Sequence, residues 1–311
     1  MESIYLDNIA GTKPDERVVE AVMPYLTEKY GNPAAHFYPL GRESYLALNN
    51  ARKQVAELIN AKNLEDIIFT SNGTESNNIA IKGVLGLSGN KKHIIISEIE
   101  HYSIQNPVLK LTNEGYTFTK LQVDKGGRIS PESVLKAIKE DTAMVAIAHA
   151  NSEIGVIQDI EAIGKICKEK GIHFHVDAVA SCGFVEIDVE KMNASTLTIA
   201  AQNFYGIRGA AVLYVAPNVK LKPLFDGGFQ EKGIRSGSEN VPAIIGLGKA
   251  CEIAKNEMSI YVPKMLSLRN KLIEGLTKQY DFLHITGEIE HRLPYHVSFW
   301  VEYIEGESLL M

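Results

Sequence analysis

The chain is poor in cysteine and has no long apolar run. Three of its 311 residues are cysteine, and they lie far apart as Cys167, Cys182 and Cys251. This spacing argues against a disulfide framework and a zinc site, and it favours buried, reduced thiols of the kind found in the cytoplasm. No apolar stretch reaches the roughly 20 residues needed to span a bilayer. We therefore expect a cytoplasmic protein that does not engage a membrane.

Positive charge is also scarce. Lysine and arginine together number 32 against 38 acidic residues, for a net charge of −6. No basic run and no basic stripe interleaved with aromatics is present, so we expect no nucleic-acid partner. The opening MESIYLDNIAG has neither the charged nor the apolar region of a signal peptide, which also favours the cytoplasm.

The sequence does contain a regular alternation of short apolar runs and helical segments. Segments such as ESYLALNNARKQVAELI and IEAIGKICKEKG have apolar residues at helical spacing. Short, nearly continuous apolar strands separated by helices indicate a largely parallel sheet covered on both faces. We therefore predict an α/β domain over residues 14–250. Its seven predicted strands lie in DIIFT, KHIIIS, YTFTKLQV, AMVAIAHA, IHFHVD, STLTIA and AVLYV.

The pattern changes after residue 250. A long helical segment follows, with Pro263 as a candidate kink or break. FLHITG and HVSFWVEY are then strand candidates, and one helix with two strands makes a poor domain alone. We interpret residues 251–311 as the start of a small α+β domain that is cut short.

The stretch FTSNGTESNN is the first candidate for chemistry. A predicted strand enters a turn containing Gly73 and Thr74, and a helix leaves it. Free backbone N–H groups at a helix N-terminus bind phosphate well. Helix capping by serine and threonine explains the same residues without any ligand, so both interpretations stay open here.

Two polar residues follow other predicted strands. Asp177 ends the strand in FHVDAVAS, at the edge where open α/β sheets bind ligands. A carboxylate there suits a protonated ring nitrogen, although a helix cap or an ion pair would use it equally well. His101 follows KHIIIS and is either a stacking surface for a flat cofactor or an ordinary satisfied histidine.

Two further patterns carry less information. His173 and His175 alternate on one strand, but without a third ligand they do not indicate a metal site. GGFQEKGIRSGSENVP, residues 227–242, suits a loop that approaches an anion or a neighbouring subunit, and by composition it is equally a flexible loop.

Together these segments resemble the cysteine desulfurases of the NifS/IscS type, in the class-V aminotransferase branch of pyridoxal-phosphate enzymes. YLDNIAGTKP is similar to the family's Y-x-D-N-A-T-T, YGNPAAHFYPLG to GNPSS-x-H, and FTSNGTESNN to FTSGATESNN. HANSEIGVIQDI resembles NNEIG-x-x-Q, and GGFQEKGIRSGSEN resembles GGGQE-x-G-x-RSGTEN. The resemblance extends over all 311 residues. It implies the fold type I of pyridoxal-phosphate transferases, with residues 1–13 as an arm that packs with the small domain.

The resemblance assigns roles to several positions. Gly73 and Thr74 would hold the cofactor phosphate, and His101 would stack on its ring. Asp177 would pair with the pyridinium nitrogen. Asn151, of the pair Asn151–Ser152, would contact the ring hydroxyl. Ser238, in place of the family's threonine, would reach the phosphate in the partner subunit.

The stretch TIAAQNFYGIRGAAVLY departs from the family. Where the family reads S-G-H-K, this chain has Ala200, Ala201, Gln202 and Asn203. An amide at Asn203 cannot form the imine that the family's lysine makes with the cofactor. Gln202 and Ala200 replace a histidine and a serine that help to bind the phosphate, and Ala180 replaces a glutamine. We expect pyridoxal phosphate to bind weakly or not at all, and we assign no catalytic residue and no metal.

The resemblance also suggests that the family's nucleophilic cysteine and its carboxylate-binding arginine follow the GESLLM segment. None of the three cysteines of this chain matches a catalytic position of the family. We therefore interpret the chain as a catalytically degenerate homologue. The first hypothesis is an interaction protein, a homodimer that contacts an iron–sulfur scaffold, a sulfur acceptor or another desulfurase chain. The alternatives are one half of a split desulfurase, or a different enzyme that uses the pocket for a small anionic ligand.

Overall fold

Residues 4–311 are described by a computed structural model. The helices are α1 (Glu16–Thr27), α2 (Pro39–Ile59), α3 (Gly73–Leu85), α4 (Tyr102–Leu111), α5 (Pro131–Ala137), α6 (Ile160–Glu169), α7 (Val241–Gln279) and α8 (Gly306–Leu310). The strands are β1 (Ile67–Thr70), β2 (His93–Ser97), β3 (Thr117–Leu121), β4 (Thr142–Ala148), β5 (His173–Asp177), β6 (Thr196–Ala200), β7 (Ala211–Val215), β8 (Leu283–Ile285) and β9 (Phe299–Val301).

A seven-stranded sheet forms the centre of the fold, in the order β1-β7-β6-β5-β4-β2-β3. Strands β2 to β6 pair in parallel, and β7 pairs antiparallel with both β6 and β1. Strand β7 runs backwards because only residues 201–210 separate it from β6, which is too short for a parallel crossover. The predicted α/β fold with a mostly parallel seven-stranded sheet is confirmed.

Helices cover both faces of this sheet, and the alternation of side chains along each strand explains why. On β2, Ile95 packs into one apolar cluster, while Ile94 and Ile96 pack into the other. The first cluster includes residues of α2, α6 and α7, and the second includes residues of α3 and α4. Because both faces are buried, most strands have nearly continuous apolar sequences, whereas the edge strand β3, TFTKL, is partly exposed.

The region after residue 250 begins inside a helix rather than at a loop. Helix α7 runs for 39 residues and passes through Pro263 without ending. The helix therefore does not break at Pro263, because tertiary packing outweighs one missing backbone N–H, and the kink stays a prediction. The two strand candidates form the antiparallel pair β8–β9, with Leu283 opposite Val301.

The N-terminal arm lies against the turn that follows β6. The backbone N–H of Thr12 donates to the carbonyl of Gln202 at 2.9 Å. Ile9 packs beside a small apolar cluster of Ala150, Ala180 and Leu293. The predicted arm spans residues 1–13, of which the first three lie outside the described residues. Its division from residues 14–250 and 251–311 stays a prediction.

The three cysteines are buried and free, as expected. Burial raises the pKa of each thiol, to about 12 for Cys167. Within residues 4–311, none of the helices combines the length and apolar character that crossing a membrane requires.

Candidate functional site

A cavity of about 430 Å³ lies at the carboxyl edge of the sheet. The ends of β1, β2 and β5 and the turn after β6 meet there, because parallel strands bring their carboxyl ends to one edge. Seven of the eight residues proposed from the sequence line this cavity. They are Gly73, Thr74, His101, Asn151, Asp177, Gln202 and Asn203.

Asp177 is fixed at the base of the cavity by hydrogen bonds. Its Oδ2 accepts from the side-chain amide of Asn77 at 2.7 Å, and its Oδ1 accepts from the backbone N–H of Val179 at 3.0 Å. The carboxyl group is 6% exposed, and burial raises its pKa. No lysine or arginine pairs with it among residues 4–311, and its two hydrogen-bond donors are uncharged amides.

A chain of hydrogen bonds between buried polar groups holds Asn77 in place. Its Oδ1 accepts from Nε2 of His175 at 3.0 Å, and Nδ1 of His175 accepts from the hydroxyl of Thr196 at 2.9 Å. Burial lowers the pKa of His175 to about 3, so the ring is neutral and one nitrogen must accept. This pairing fixes both the imidazole tautomer and the orientation of the Asn77 amide.

His101 lines the cavity and also caps helix α4. Its Nδ1 accepts from the backbone N–H of Ser103 at 3.1 Å. Nε2 of the ring has no hydrogen-bond partner among the described residues. The histidine therefore caps a helix while its ring lies at the cavity wall, and its predicted stacking role stays a prediction.

Helix α3 presents its N-terminus to the cavity. The backbone N–H groups of Gly73 and Thr74 make no hydrogen bond within residues 4–311, whereas Asn72 caps the N–H of Glu75 at 2.9 Å. A Cβ atom on Gly73 would lie 2.9 Å from the Val179 side chain, so a glycine is required for this close approach. This end of the helix keeps its capacity for an anion.

The turn after β6 carries the departures from the family pattern. Asn203 is 9% exposed, and its Nδ2 donates to the carbonyl of Ile9 at 3.0 Å, which ties the turn to the N-terminal arm. Its Oδ1 accepts no hydrogen bond within the described part of the chain. Ala200 is fully buried beside Gly73 and offers no polar group. The turn therefore has amides in place of the family's amine and imidazole, and a methyl group in place of its hydroxyl.

Asn151 and Ser238 differ in their position relative to the cavity. Asn151 lines the cavity, but its Oδ1 accepts from the N–H groups of Glu153 and Ile154, each at 2.8 Å, and its Nδ2 donates to the carbonyl of Ile99. Ser238 does not line the cavity. It is exposed in the loop before α7, where its carbonyl accepts from Arg235.

Two functional groups were missed by the sequence analysis. Asn77 lies one helical turn after Gly73 on α3, and this i, i+4 spacing was the available signal. Glu100 is 4% exposed and precedes His101; its oxygens accept from the hydroxyl of Ser97 at 2.5 Å and the N–H of Ala148 at 2.9 Å. Burial raises the pKa of Glu100 to about 8.

The order of these elements and the site they form can be compared with known proteins. A model of the aminotransferase class-V family matches residues 4–311. The chain belongs to this family. Its members are expected to use pyridoxal phosphate, the cofactor for which Asp177 and the N-terminus of α3 are suitably placed.

Similar proteins show which branch of the family the chain resembles. The chain is 46% identical to cysteine desulfurase IscS of Methanosarcina thermophila over 311 residues, which is all of this chain and 76% of that protein. It is 42% identical to cysteine desulfurase IscS of Dictyoglomus turgidum, over 99% of this chain and 78% of that protein. A solved NifS-like protein superposes with a TM-score of 0.94 at 36% identity, over 99% of this chain and 84% of the other. The resemblance to NifS/IscS-type cysteine desulfurases is confirmed.

The residues present fit pyridoxal phosphate only in part. The carboxylate of Asp177, the His101 ring and the free N–H groups of α3 suit it. The cavity lining has no lysine to bind its aldehyde, and it has no lysine or arginine at all to balance the phosphate charge.

Proposed function

We propose that this class-V aminotransferase homologue has no cysteine desulfurase activity of its own and acts as an interaction protein in sulfur or iron–sulfur metabolism. The observation that carries the proposal is Asn203, a buried amide at the position of the cofactor lysine, bonded to the carbonyl of Ile9. An amide nitrogen is not nucleophilic and cannot form an imine or transfer the substrate's α-proton.

The remaining contacts are too few to hold the cofactor tightly. Each hydrogen bond to a charged group contributes about 1.5–3 kcal/mol. The chain has replaced the phosphate-binding side chains at positions 200 and 202 with alanine and an uncharged amide. We propose that pyridoxal phosphate binds weakly or is absent, with Gly73, Thr74, His101, Asn151, Asp177, Gln202, Asn203 and Ser238 as what is left of its site. We propose no catalytic residue and no metal.

The proposed partners begin with a second copy of this chain. Three aromatic residues that we call the dimer face, Tyr30, Phe37 and Phe229, are 73%, 86% and 94% exposed. Phe37 belongs to the segment before α2, and Phe229 to the loop that carries Ser238. Phe229 lines one surface cavity with His36, the residue before Phe37, and large exposed aromatic side chains mark interaction surfaces. We propose a cytoplasmic homodimer through this face, with an iron–sulfur scaffold, a sulfur acceptor or another desulfurase chain as a further partner.

The test combines a spectrum with an activity measurement. Purified protein is incubated with excess pyridoxal phosphate, passed through a desalting column, and its absorbance and cysteine-dependent sulfide release are measured. We expect no retained yellow colour and no sulfide. A protein that stays yellow and releases sulfide would overturn the proposal.

One observation favours a second candidate, a split desulfurase completed by another polypeptide. Phe299 and Trp300 on β9 are 41% and 52% exposed, and Phe282 beside β8 is 45% exposed. Such a small apolar sheet gains stability when further polypeptide covers it. Co-purification of a cysteine-containing polypeptide, with sulfide release from the mixture alone, would support this candidate over the first.

A further inference from the structure

Residues 7–10 of the N-terminal arm, which we call the strap, form part of the wall of the cavity at the carboxyl edge. Asp7, Ile9 and Ala10 line the cavity, and all its other lining residues lie between positions 72 and 203. The backbone turns within the strap, where the N–H of Ala10 donates to the carbonyl of Asp7 at 3.2 Å. The strap therefore closes one side of a cavity that the sheet and its turns otherwise form.

The arm is firmly fixed at Thr12, just after the strap. The N–H and the hydroxyl of Thr12 both donate to the carbonyl of Gln202, at 2.9 and 3.1 Å. The same hydroxyl oxygen accepts from the N–H of Tyr205 at 2.6 Å. Thr12 is 9% exposed, so water competes little for these bonds. This end of the arm therefore stays attached to the turn after β6 when the strap moves.

The strap itself is held by two contacts. The side-chain amide of Asn203 donates to the carbonyl of Ile9 at 3.0 Å, and the Ile9 side chain packs on the small apolar cluster that includes Ala180. Within the described part of the chain, no other hydrogen bond joins residues 4–11 to residues 13–311. A segment that is fixed at one end and held by so few contacts opens locally, without unfolding of the core.

We propose that the strap opens and closes over the cavity, and that the hydrogen bond from Asn203 to Ile9 holds it closed. Entry of a small molecule into the cavity is then limited by the release of this bond and of the Ile9 side chain. Asn203 thus has a function of its own, as the residue that ties the arm to the turn after β6. This inference goes beyond the proposed function and does not depend on it, because it concerns access to the cavity and not the chemistry inside it.

The experiment measures how fast a reagent reaches a thiol placed beside the strap. Ala180 lines the cavity in the cluster against which Ile9 packs, and it is 7% exposed. Ala180→Cys therefore reports opening of the strap through its rate of alkylation by iodoacetamide, followed by the mass of the intact chain. The three native cysteines are 0% exposed, so we expect a single alkylation per folded chain.

Three variants are compared in the Ala180→Cys background. Asn203→Leu keeps the size of the side chain and removes its donor, and we expect the alkylation rate to rise about tenfold, within reach of the loss of one hydrogen bond. Asn8→Leu is the matched control, because the Asn8 amide donates only to the carbonyl of Tyr5 inside the arm, at 3.3 Å, and its rate should stay unchanged. Ile9→Ala removes the apolar contact without altering the turn after β6, and we expect it to raise the rate as well.

An unchanged rate in Asn203→Leu, or an equal rise in Asn8→Leu, would overturn the inference. More than one alkylation per chain in Asn203→Leu would mean that the core has loosened, and Ile9→Ala then decides. A faster single alkylation in Ile9→Ala supports the moving strap, and an unchanged rate overturns it. None of these results bears on the proposed function, which fails instead if the parent chain forms a stable yellow complex with pyridoxal phosphate and releases sulfide.

Discussion

The side-chain nitrogen of Asn77 lies 2.7 Å from Oδ2 of Asp177, and the oxygen of the same amide accepts from His175 at 3.0 Å. One amide therefore connects the acid at the base of the cavity to a neutral histidine in the middle of the sheet. Asn77 is 1% exposed and His175 is fully buried, so water cannot replace the amide as the partner of the histidine.

Removing this amide is expected to destabilise the fold. Asn77→Ala leaves a buried carboxylate and a buried imidazole each short of a partner, at about 1–3 kcal/mol for each unsatisfied group. We expect the free energy of unfolding in urea to fall by about 2–3 kcal/mol. Asn78→Ala is the control, because Asn78 bonds only to the carbonyl of Thr74 in its own helix, and its effect should stay within about 0.5 kcal/mol. Equal losses in the two variants would contradict the role given to Asn77.

Rebuilding the family's turn is expected to restore the covalent cofactor. The triple variant Ala200→Ser, Gln202→His and Asn203→Lys supplies a hydroxyl, an imidazole and an amine at the edge where Asp177 is already in place. We expect this variant to turn yellow with pyridoxal phosphate and to keep the label after borohydride reduction, as measured by mass spectrometry. The parent chain is the control. A colourless triple variant would mean that more of the site than these three positions has been lost.

The proposed dimer face can be tested with one substitution that introduces a charge. Phe229 is 94% exposed and makes no side-chain hydrogen bond, so Phe229→Asp leaves the monomer fold intact. We expect the native mass of the parent to be that of a dimer and that of the variant to be that of a monomer. Tyr303→Asp is the control, because Tyr303 is 98% exposed at the distant small sheet. A dimer that survives Phe229→Asp would place the interface elsewhere.

Glu100 is expected to make the fold less stable at alkaline pH. Its pKa is about 8 in the folded chain, against an ordinary value of 4.5, so between these values the folded state binds the extra proton. Stability must then fall as pH rises through this window, by about 1.4 kcal/mol per pH unit for one proton. Glu100→Gln mimics the protonated acid, and we expect it to match the parent near pH 5 and to exceed it in melting temperature at pH 8.5. Parallel pH curves for the two proteins would refute this.

The buried histidines are expected to make the fold less stable at acidic pH, which is the opposite of the effect of Glu100. Burial lowers the pKa of His149 to about 4 and those of His173 and His175 to about 3. Below the ordinary value of about 6.5 the unfolded chain binds more protons, so stability is lost as pH falls through this window. His149→Gln should remove one proton from the slope of unfolding free energy against pH, about 1.4 kcal/mol per unit between pH 4.5 and 6. His291→Gln, at an exposed position, should leave the slope unchanged.

The sheet could be predicted from the sequence because each strand is a local apolar run between turn signals. The cavity position could also be predicted, since Asp177 and His101 both follow parallel strands. The reversal of β7 follows from the length of one connection. The polar chain from Thr196 through His175 to Asn77 could not be predicted, because it joins residues 21 and 98 positions apart that only the folded sheet brings together. Asp7 and Glu153, which also line the cavity, were missed for the same reason, since they are distant in sequence.

Helix α7 joins the two sheets as a single rod of about 58 Å, at 1.5 Å per residue. Its first turn is anchored at the segment between β6 and β7, where Asn240 donates to the carbonyl of Gly209 at 3.3 Å. Residues 216–240 connect β7 to the rod, and residues 280–282 connect the rod to β8, so a swing of the small sheet would flex these connections or bend the rod. Pro263 removes one rung of its hydrogen-bond ladder, at the carbonyl of Ser259, and marks the point where bending requires the least force.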